Sequence, residues 1–345
     1  MCVKDTGTKY QLWISDFNID GTFTRVHPFI ISHTKTMTRT REDGKEEVFS
    51  ACIKPDDTRY LGGNKSSSVN AIKLQGRPRT GISYDKANEF CANRGNWITM
   101  IDYLEYCAIQ ALCYIEYANF DNQATLNVNL TSDGFKQGGL GAGVTNLAWD
   151  RWTAFNDNNP IVQTYWTAEH NIGNGSTNGD HYELGYFNAD GSNLSTYPAV
   201  YRGILNFFGD IWTFIRDIVV INKDKDYNAV YLLKKGVNHS DVTKDNIQDK
   251  CYFIGDQANT NNFITEFDFR FGPYFVPNKI GTNKKADYNW IRGNNGQDTD
   301  KAIRVLSLGG RAHDGSGAGS GRFYSIWARS DYGAYSGFFT TVKLD

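Results

Sequence analysis

Residues 304–341 read RVLSLGGRAHDGSGAGSGRFYSIWARSDYGAYSGFFTT. The apolar start of this stretch, together with residues 302 and 303, predicts a buried strand over residues 302–308. The remainder sets Arg, His, Asp, Tyr and Trp into a background of Gly, Ser and Ala. Tyr and Trp give large contact area at low entropic cost, and Gly and Ser let loops adapt. The stretch therefore predicts a strand followed by a binding surface with exposed, exchangeable side chains.

Composition limits the class of protein. The 345 residues are enough for one large domain or two ordinary ones. A hydrophobic fraction of 40% and an aromatic fraction of 14%, with abundant Gly and Asn, indicate a folded chain rich in sheet and loops. The formal net charge of -2 gives no electrostatic footprint for nucleic acid, so we expect no nucleic-acid partner.

The sequence shows neither a signal peptide nor a membrane-spanning segment. The first residues, MCVKDTGTKYQLW, contain no apolar signal-peptide core. No apolar run reaches the length that a bilayer span requires, so we expect no membrane insertion. We therefore expect the protein to be made in a cytoplasm, without a signal peptide.

Motifs for metal, cofactor or covalent chemistry are not found. The six cysteines show no CxxC pair and no zinc spacing with histidine, so buried reduced thiols are expected. His170, Asp180 and His181 match no ligand pattern and are interpreted as loop residues. There is no nucleophile elbow, dinucleotide fingerprint or HExxH motif. We therefore expect neither a catalytic residue nor a metal or other cofactor.

Two helices are predicted after residue 80. The first has Ser83 as its N-cap and ends at Gly95. Its inner face consists of Ala87, Phe90 and Cys91. The second is predicted to begin at Thr99, with Asp102 three residues on as a capping partner.

The second helix carries one apolar stripe at helical spacing. The stripe consists of Leu104, Cys107, Ala108, Ala111, Leu112 and Ile115. Glu105 and Glu116 are interpreted as solvated charges of this helix.

Most of the remaining sequence predicts short strands and loops. Residues 1–60 read as strands and turns, with a hairpin turn at Asp43-Gly44. They form either a docking segment or a part of the main domain. Residues 61–345 are interpreted as that domain, with insertions at about residues 120–198 and 222–300. Trp212 is predicted to enter the core, and residues 218–221 and 229–233 are predicted to pair as a hairpin.

Three blocks of sequence, in this order, resemble one family. They are CANRGNW at residues 91–97, GDIWTFIRD at residues 209–217, and RVLSLGG at residues 304–310 with Gly337-Phe338 near the end. They are similar to the conserved blocks of formylglycine-generating enzyme and sulfatase-modifying-factor domains. The resemblance implies an α+β, C-type-lectin-like fold: a twisted antiparallel sheet with two helices and long irregular loops.

The family has an enzymatic and a ligand-binding branch. The enzymatic branch uses cysteines between the last two blocks, whereas this chain has no cysteine after Cys251. The expectation is therefore that the protein is not an enzyme. The ligand-binding branch includes variable receptor-binding proteins of diversity-generating retroelements and related phage tail proteins. VHPF at residues 26–29 and YRGILNFFGDIW at residues 201–212 look especially like phage examples.

The residue types missing from residues 309–341 fit that second branch. In such systems template adenines are mutagenised, mostly in Asn codons, which cannot then yield Lys, Glu, Gln, Met or Trp. No Asn follows Asn295, and residues 309–341 contain no Lys, Glu, Gln or Met. Chance composition of a short stretch is the alternative. Under the retroelement interpretation residues 304–341 are a variable ligand-binding tail, and Trp327 is a fixed scaffold position within it.

The predicted binding residues lie in this tail, and Tyr and Arg are expected to be the anchors. They are Arg311, His313, Asp314, Ser316, Arg322, Tyr324, Trp327, Arg329, Asp331, Tyr332 and Tyr335. Trp212 and Trp290 are candidates for the floor of the site, with a core role favoured for Trp212.

The resemblance implies a receptor-binding protein, or adhesin, at the tip of a phage tail fibre. Its expected partners are a bacterial surface receptor, either protein or glycan, and other tail proteins. A homotrimer located in the virion is expected. Two other functions stay open: a structural tail or baseplate protein that uses the domain for assembly, and an enzyme of the modifying-factor type.

Overall fold

The computed structural model describes residues 1–6, 9–15, 17, 21–51, 59–64, 78–122, 184–187, 193–196, 200–283, 286–291, 303–311, 314, 317–333 and 335–344. This part of the chain is mostly sheet with few helices, which confirms the predicted α+β class. Most of the predicted insertion at residues 120–198, with His170, Asp180 and His181, lies outside the described residues.

The helices are α1 (Tyr84–Arg94), α2 (Tyr103–Tyr117) and α3 (Ile247–Lys250), and a 3-10 helix covers His239–Asp241. The strands up to residue 205 are β1 (Cys2–Asp5), β2 (Tyr10–Trp13), β3 (Thr22–Phe23), β4 (Phe29–Ile31), β5 (Met37–Thr40), β6 (Glu46–Phe49), β7 (Tyr60–Leu61), β8 (Gly63–Asn64), β9 (Arg79–Thr80), β10 (Ile82–Ser83), β11 (Thr99–Met100), β12 (Leu184–Phe187), β13 (Asn193–Thr196), β14 (Val200–Tyr201) and β15 (Ile204–Leu205). The later strands are β16 (Trp212–Asn222), β17 (Tyr227–Leu233), β18 (Cys251–Ala258), β19 (Asn262–Asp268), β20 (Val276–Gly281), β21 (Tyr288–Trp290), β22 (Arg304–Gly309), β23 (Gly319–Tyr324), β24 (Tyr332–Gly333), β25 (Ser336–Gly337) and β26 (Thr340–Lys343).

One large sheet contains most of the later strands. Its order is β18-β17-β16-β22-β23-β21-β19-β20, and β25 pairs with the start of β16. The sheet curls until its two edges meet, where Asn278 Nδ2 donates to the Asp256 carbonyl at 3.1 Å. The predicted hairpin of residues 218–221 and 229–233 is confirmed as the pairing of β16 with β17. The tail strands β22 and β23 lie in the middle of this sheet.

Helix α1 forms where the sequence predicts it. The Ser83 side chain accepts a hydrogen bond from the Lys86 amide, and Gly95 closes the C-terminus with φ +146°. Its buried residues are Tyr84, Ala87, Phe90 and Cys91. These features confirm the prediction. The helix could be predicted because capping depends on adjacent residues and the buried residues recur at the helical period.

Helix α2 begins later than predicted. Its N-cap is Asp102, which forms a capping box with Glu105, whereas Thr99 lies in β11 and pairs with Thr341 of the C-terminal strand. The prediction of Glu105 as a solvated charge is wrong, because its Oε2 accepts hydrogen bonds from the Asp102 amide and the Thr341 hydroxyl. Ile115, expected inside, is 41% exposed.

The core lies between α2 and the large sheet. Tyr106 of α2 stacks on Phe207 with ring centroids 4.7 Å apart, and both side chains are buried. Its hydroxyl donates to the Ser320 carbonyl on β23 at 3.0 Å. Trp212 is 1% exposed, which confirms its predicted place in the core. The helix therefore supports the inner face of the tail strands.

Strands near the amino terminus pack directly on the C-terminal part of the chain. β4 pairs with β26, and β5 and β6 form the hairpin predicted around Gly44, whose φ is +79°. Lys35 is buried, and its Nζ donates to Asp210 Oδ1 at 2.7 Å. Removing either partner of such a buried pair is strongly destabilising, so this contact fixes the segment.

The described cysteines are buried and unbonded, as predicted; Cys52 lies outside the described residues. In the part of the chain that the structure describes, no helix has both the length and the apolar character needed to cross a bilayer.

Candidate functional site

Two glycines set the path of the tail between β22 and β23. Gly309 and Gly310 have φ of +96° and +74°, a region that side chains disfavour. A Cβ on Gly310 would lie 2.9 Å from Arg322 Cδ and 3.0 Å from Ala318 Cα. The Gly309 carbonyl also accepts the Gly209 amide at 3.1 Å. Two of the sequence blocks singled out above, at residues 209–217 and 304–310, therefore meet here.

A third glycine lets β23 pack closely on side chains of α2. The Gly321 amide donates to Asp287 Oδ2 at 2.7 Å, and a Cβ at this position would lie 2.6 Å from the Tyr114 hydroxyl oxygen. Because residue 321 has no side chain of its own, the strand that carries Arg322 and Tyr324 packs directly on the Tyr114 and Gln110 side chains of α2. Here glycine serves close packing rather than loop adaptability.

A buried polar relay fixes β21 beside β23. Ser325 Oγ donates to Gln257 Oε1, and Gln257 Nε2 donates to Asn289 Oδ1, both at 2.8 Å. Asn289 Nδ2 donates in turn to the carbonyls of Ala258 and Thr260. Hydrogen-bonded buried networks of this kind specify one arrangement. In this arrangement Trp290 pairs with Tyr324 in the sheet register.

Five aromatic side chains meet on this framework, and we call them the aromatic platform: Trp212, Trp290, Tyr324, Trp327 and Tyr335. Tyr324 stacks on Trp212 with ring centroids 4.4 Å apart, and Trp290 meets Tyr324 edge-on at 6.3 Å. Trp327 contacts Tyr324 at 5.9 Å and Tyr335 at 5.5 Å. Burial raises the pKa of the Tyr324 and Tyr335 hydroxyls, so both are neutral at physiological pH.

Two arginines and one carboxylate are enclosed by the platform. The Arg322 guanidinium carbon lies 5.0–5.3 Å from the ring centroids of Trp212, Tyr288 and Trp290, and the group is 3.4 Å from Asp314 Oδ1. Arg311 lies 4.6 Å from the Tyr335 ring centroid and 3.4 Å from the same Asp314 oxygen. Burial lowers the pKa of Arg322, partly offset by Asp314. Cation–π contacts and the shared carboxylate compensate the buried charges.

The expectation of exposed side chains is wrong for part of the tail. Arg311, Arg322 and Tyr324 are 8%, 2% and 9% exposed. The Asp314 side chain is 1% exposed, and Trp327 is buried. Arg322 and Tyr324 are buried because β23 lies in the centre of the sheet, where Trp212 of β16 and Trp290 of β21 cover them. Trp327 therefore occupies a scaffold position, whereas His313 and Ser316 lie outside the described residues.

The other predicted residues reach the surface in residues 328–333, which we call the tail loop. Tyr332 is 73% exposed, Asp331 is exposed, and Arg329 is half-buried. Asp331 closes the turn, because its amide donates to the Ala328 carbonyl at 3.0 Å and its Oδ2 accepts the Ala328 amide at 2.9 Å. The predicted set is thus divided between a buried framework and this loop, with Tyr335 at the boundary.

Residues of α1 flank the tail loop, which the sequence did not reveal. Strand β10 pairs with β24, so that Ser83, the N-cap of α1, lies opposite Tyr332. The Asp85 amide donates to the Arg329 carbonyl at 3.2 Å, and the two side chains approach to 3.6 Å. No local pattern signals this contact, because it joins segments far apart in sequence. Tyr288, which covers Arg322, was missed for the same reason.

No protein-family model matches the chain, and neither does any curated protein sequence. A Tyr hydroxyl, an aromatic ring and charged side chains on a closed turn offer contacts for binding a partner.

Proposed function

We propose that this protein is a receptor-binding protein at the tip of a phage tail fibre. In this proposal its domain has the C-type-lectin-like fold that the sequence blocks resemble, and it attaches to a bacterial surface receptor without catalysis. We also propose that the protein forms a homotrimer in the virion and binds other tail proteins. It uses no cofactor in this proposal. Repeated weak contacts from three copies would then add up through avidity.

One observation carries the proposal: the tail loop presents a large exposed aromatic side chain on a firmly held backbone. The loop is closed by Asp331, paired with β10 through Tyr332 and Gly333, and seated on Trp327 and Tyr335. Surfaces that bind protein or glycan partners use exposed Tyr side chains as anchors. The arrangement favours recognition of an outside partner over a role that is purely internal to the fold.

The test is binding of the purified, fluorescently labelled protein to whole cells of the bacterium on which the phage carrying this gene grows. We expect saturable binding that unlabelled protein competes away. An assembly module of the tail or baseplate would instead bind purified tail proteins and leave the cells unlabelled. That second pattern would overturn the proposal.

We further propose that a retroelement diversifies the tail, and the 3′ end of the gene from sibling isolates tests this separately. The exposed positions Asp331 and Tyr332, the half-buried Arg329, and Tyr335 at the boundary are expected to vary. The buried positions Arg322 and Tyr324 are expected to change less, because substitutes must fit between aromatic rings. Identical tails in all isolates, or substitutions spread evenly over the gene, would contradict diversification.

A further inference from the structure

Lys35 and Asp210 form an ion pair that receptor binding does not use and that is unusually well shielded from solvent. Lys35 Nζ lies 2.7 Å from Asp210 Oδ1, and the two side chains are 1% and 6% exposed. Lys343 Nζ lies equally close to a carboxylate oxygen of Asp102. The lysine side chains in this and the other described Lys–carboxylate pairs are, however, 46–79% exposed. Proximity is therefore shared by several pairs, whereas exclusion of solvent is particular to Lys35.

The surroundings of the lysine are apolar. The buried Phe339 ring has its centroid 4.7 Å from Lys35 Nζ, and the lysine stem runs beside β25, where a Cβ on Gly337 would lie 3.7 Å from Lys35 Cδ. Burial disfavours the charged form of both groups. It lowers the pKa of Lys35 and raises the pKa of Asp210, and the attraction between the two groups offsets part of each change. The pair is therefore shifted towards a neutral amine and a protonated carboxyl group.

The hydrogen bonds of Lys35 suit a neutral amine. Its Nζ donates to Asp210 Oδ1 at 2.7 Å and to the Asn206 carbonyl at 2.6 Å, and these are its oxygen acceptors among the described residues. An ammonium group has three N–H donors, whereas a neutral amine has two donors and a lone pair. Two oxygens thus satisfy the amine, and the third donor of an ammonium would meet the Phe339 ring. A neutral lysine amine is a nucleophile.

The backbone holds the two side chains together in the folded chain. Next to the lysine, the Thr36 amide donates to the Phe338 carbonyl at 3.0 Å. Two residues after the aspartate, the Trp212 amide donates to the Tyr335 carbonyl at 2.8 Å. Groups held in a fixed reactive geometry behave as if present at about 10⁵–10⁸ M, so reactions that are negligible between free side chains become accessible.

From this geometry we propose that Lys35 and Asp210 become joined by an isopeptide bond once the chain has folded. The Nζ lone pair attacks Asp210 Cγ, the bond from Cγ to the hydroxyl oxygen breaks, and the hydroxyl takes up one amine proton and leaves as water. One C–N bond replaces one C–O bond without any change of oxidation state, so no co-reactant is needed. The Asn206 carbonyl accepts the N–H that the new amide retains.

The bond links two segments that are 175 positions apart in the sequence. It ties the stretch between β4 and β5 to the residues just before β16, and a cross-link over so long a loop restricts the unfolded chain. Tension between the amino-terminal strands and the large sheet then bypasses the intervening residues. This inference does not rest on the proposed function, because the bond forms within one chain whatever that chain binds.

The mass of the purified full-length chain, measured under denaturing conditions, tests the bond. We expect a mass about 18 Da below that of the linear chain, since condensation releases one water. Trypsin should then yield a branched peptide of residues 26–39 and 203–216, because an acylated lysine is not cleaved. Within these two ranges Lys35 is the only lysine and Asp210 the only residue with a carboxyl side chain, so the branch point is assigned directly.

Two lysine variants complete the test. Lys35→Met removes the nucleophile and is expected to restore the mass of the linear chain. Lys343→Met is the matched control, because it removes a solvated lysine that lies at the same 2.7 Å from a carboxylate oxygen, and the branched peptide should persist. The wild-type measurement decides the question even where Lys35→Met does not fold.

Two results would overturn the isopeptide bond. One is a wild-type chain at the linear mass, with separate tryptic peptides of residues 26–35 and 203–216. The other is a loss of about 18 Da with an unbranched peptide 203–216, because the water has then left another site, such as the Asp43-Gly44 turn.

Discussion

The two parts of the tail use a similar composition for opposite purposes. In β22 and β23 every residue is buried, and the glycines permit contacts such as that of Gly321 with Tyr114. In the tail loop, Asp331 and Tyr332 project into solvent from a closed turn. Composition alone suggested one exchangeable surface. The structure divides it into a framework that constrains substitution and a loop that permits it.

The largest effect is expected from removing the centre of the platform. Trp212→Ala deletes a side chain that is 1% exposed and contacts Tyr324 and Arg322. The free energy of unfolding should fall by about 3–5 kcal/mol, because the cavity cannot fully collapse. Urea denaturation measures this loss. The control Trp97→Ala, at a 57% exposed position, should change stability by less than about 1 kcal/mol; equal losses would contradict the framework role.

The next largest effect tests the close-packing role of glycine. In Gly321→Ala the new methyl group would lie 2.6 Å from the Tyr114 hydroxyl oxygen and 2.9 Å from Gln110 Nε2. We expect a loss of about 3 kcal/mol, at the upper end for overpacking, since the strand or α2 must move. Gly281→Ala is the control, because its nearest contact is the flexible Thr265 side chain at 3.3 Å. A stable Gly321→Ala protein would show that β23 does not need glycine here.

A smaller effect on the free energy of unfolding is expected from pH. It arises at Asp217 of β16, the strand that pairs with the buried tail strand β22. Asp217 lies in the irregular stretch of β16 where pairing with β22 shifts, and its Oδ1 accepts the Tyr103 amide at 2.8 Å. Burial of the carboxyl group, and then the charge of Asp102, raise its pKa to about 7. The raised pKa stabilises the fold at low pH, and this contribution is lost as pH rises from about 4 to about 7.

Thermal or urea unfolding at a series of pH values tests this prediction. The contribution of Asp217 should fall by about 2 kcal/mol between pH 5 and pH 7, and Asp217→Asn should remove that part of the slope. Receptor binding through the tail loop should stay unchanged over the same range. An unchanged slope in Asp217→Asn would contradict the assignment.

The smallest effect on stability is expected in the tail loop itself. Tyr332→Ala removes an exposed side chain, so the free energy of unfolding should change by less than about 0.5 kcal/mol. Tyr324→Ala, the buried counterpart in β23, should cost about 3 kcal/mol or more. Similar losses in both variants would remove the distinction between framework and loop.

Local signals predicted local structure well. Ser83 and Gly95 bracket α1, and Gly44 turns the β5–β6 hairpin, because capping and turn preferences depend on a few adjacent residues. The start of α2 was mispredicted because Thr99 pairs with Thr341, a partner at the other end of the chain. Tertiary pairing overrode a plausible local cap there.

The sequence predicted which segment contains the candidate site. It did not predict which side chains of that segment reach the surface. The tail composition indicated the region that contains Tyr332 and Asp331. It could not show that Arg322 is enclosed by three rings from two separate strands, because such contacts depend on strand order in the sheet. The flank formed by Asp85 was hidden for the same reason.

Competition between the purified protein and the intact phage for host cells tests the central claim most directly. The wild-type protein, added first, is expected to block phage adsorption in a dose-dependent way. The control Tyr252→Ala, at a 58% exposed position on β18, should block equally well. Tyr332→Ala should need about 10-fold more protein for the same block. Undiminished adsorption at saturating wild-type protein, or equal blocking by Tyr332→Ala, would contradict a receptor-binding role for the tail loop.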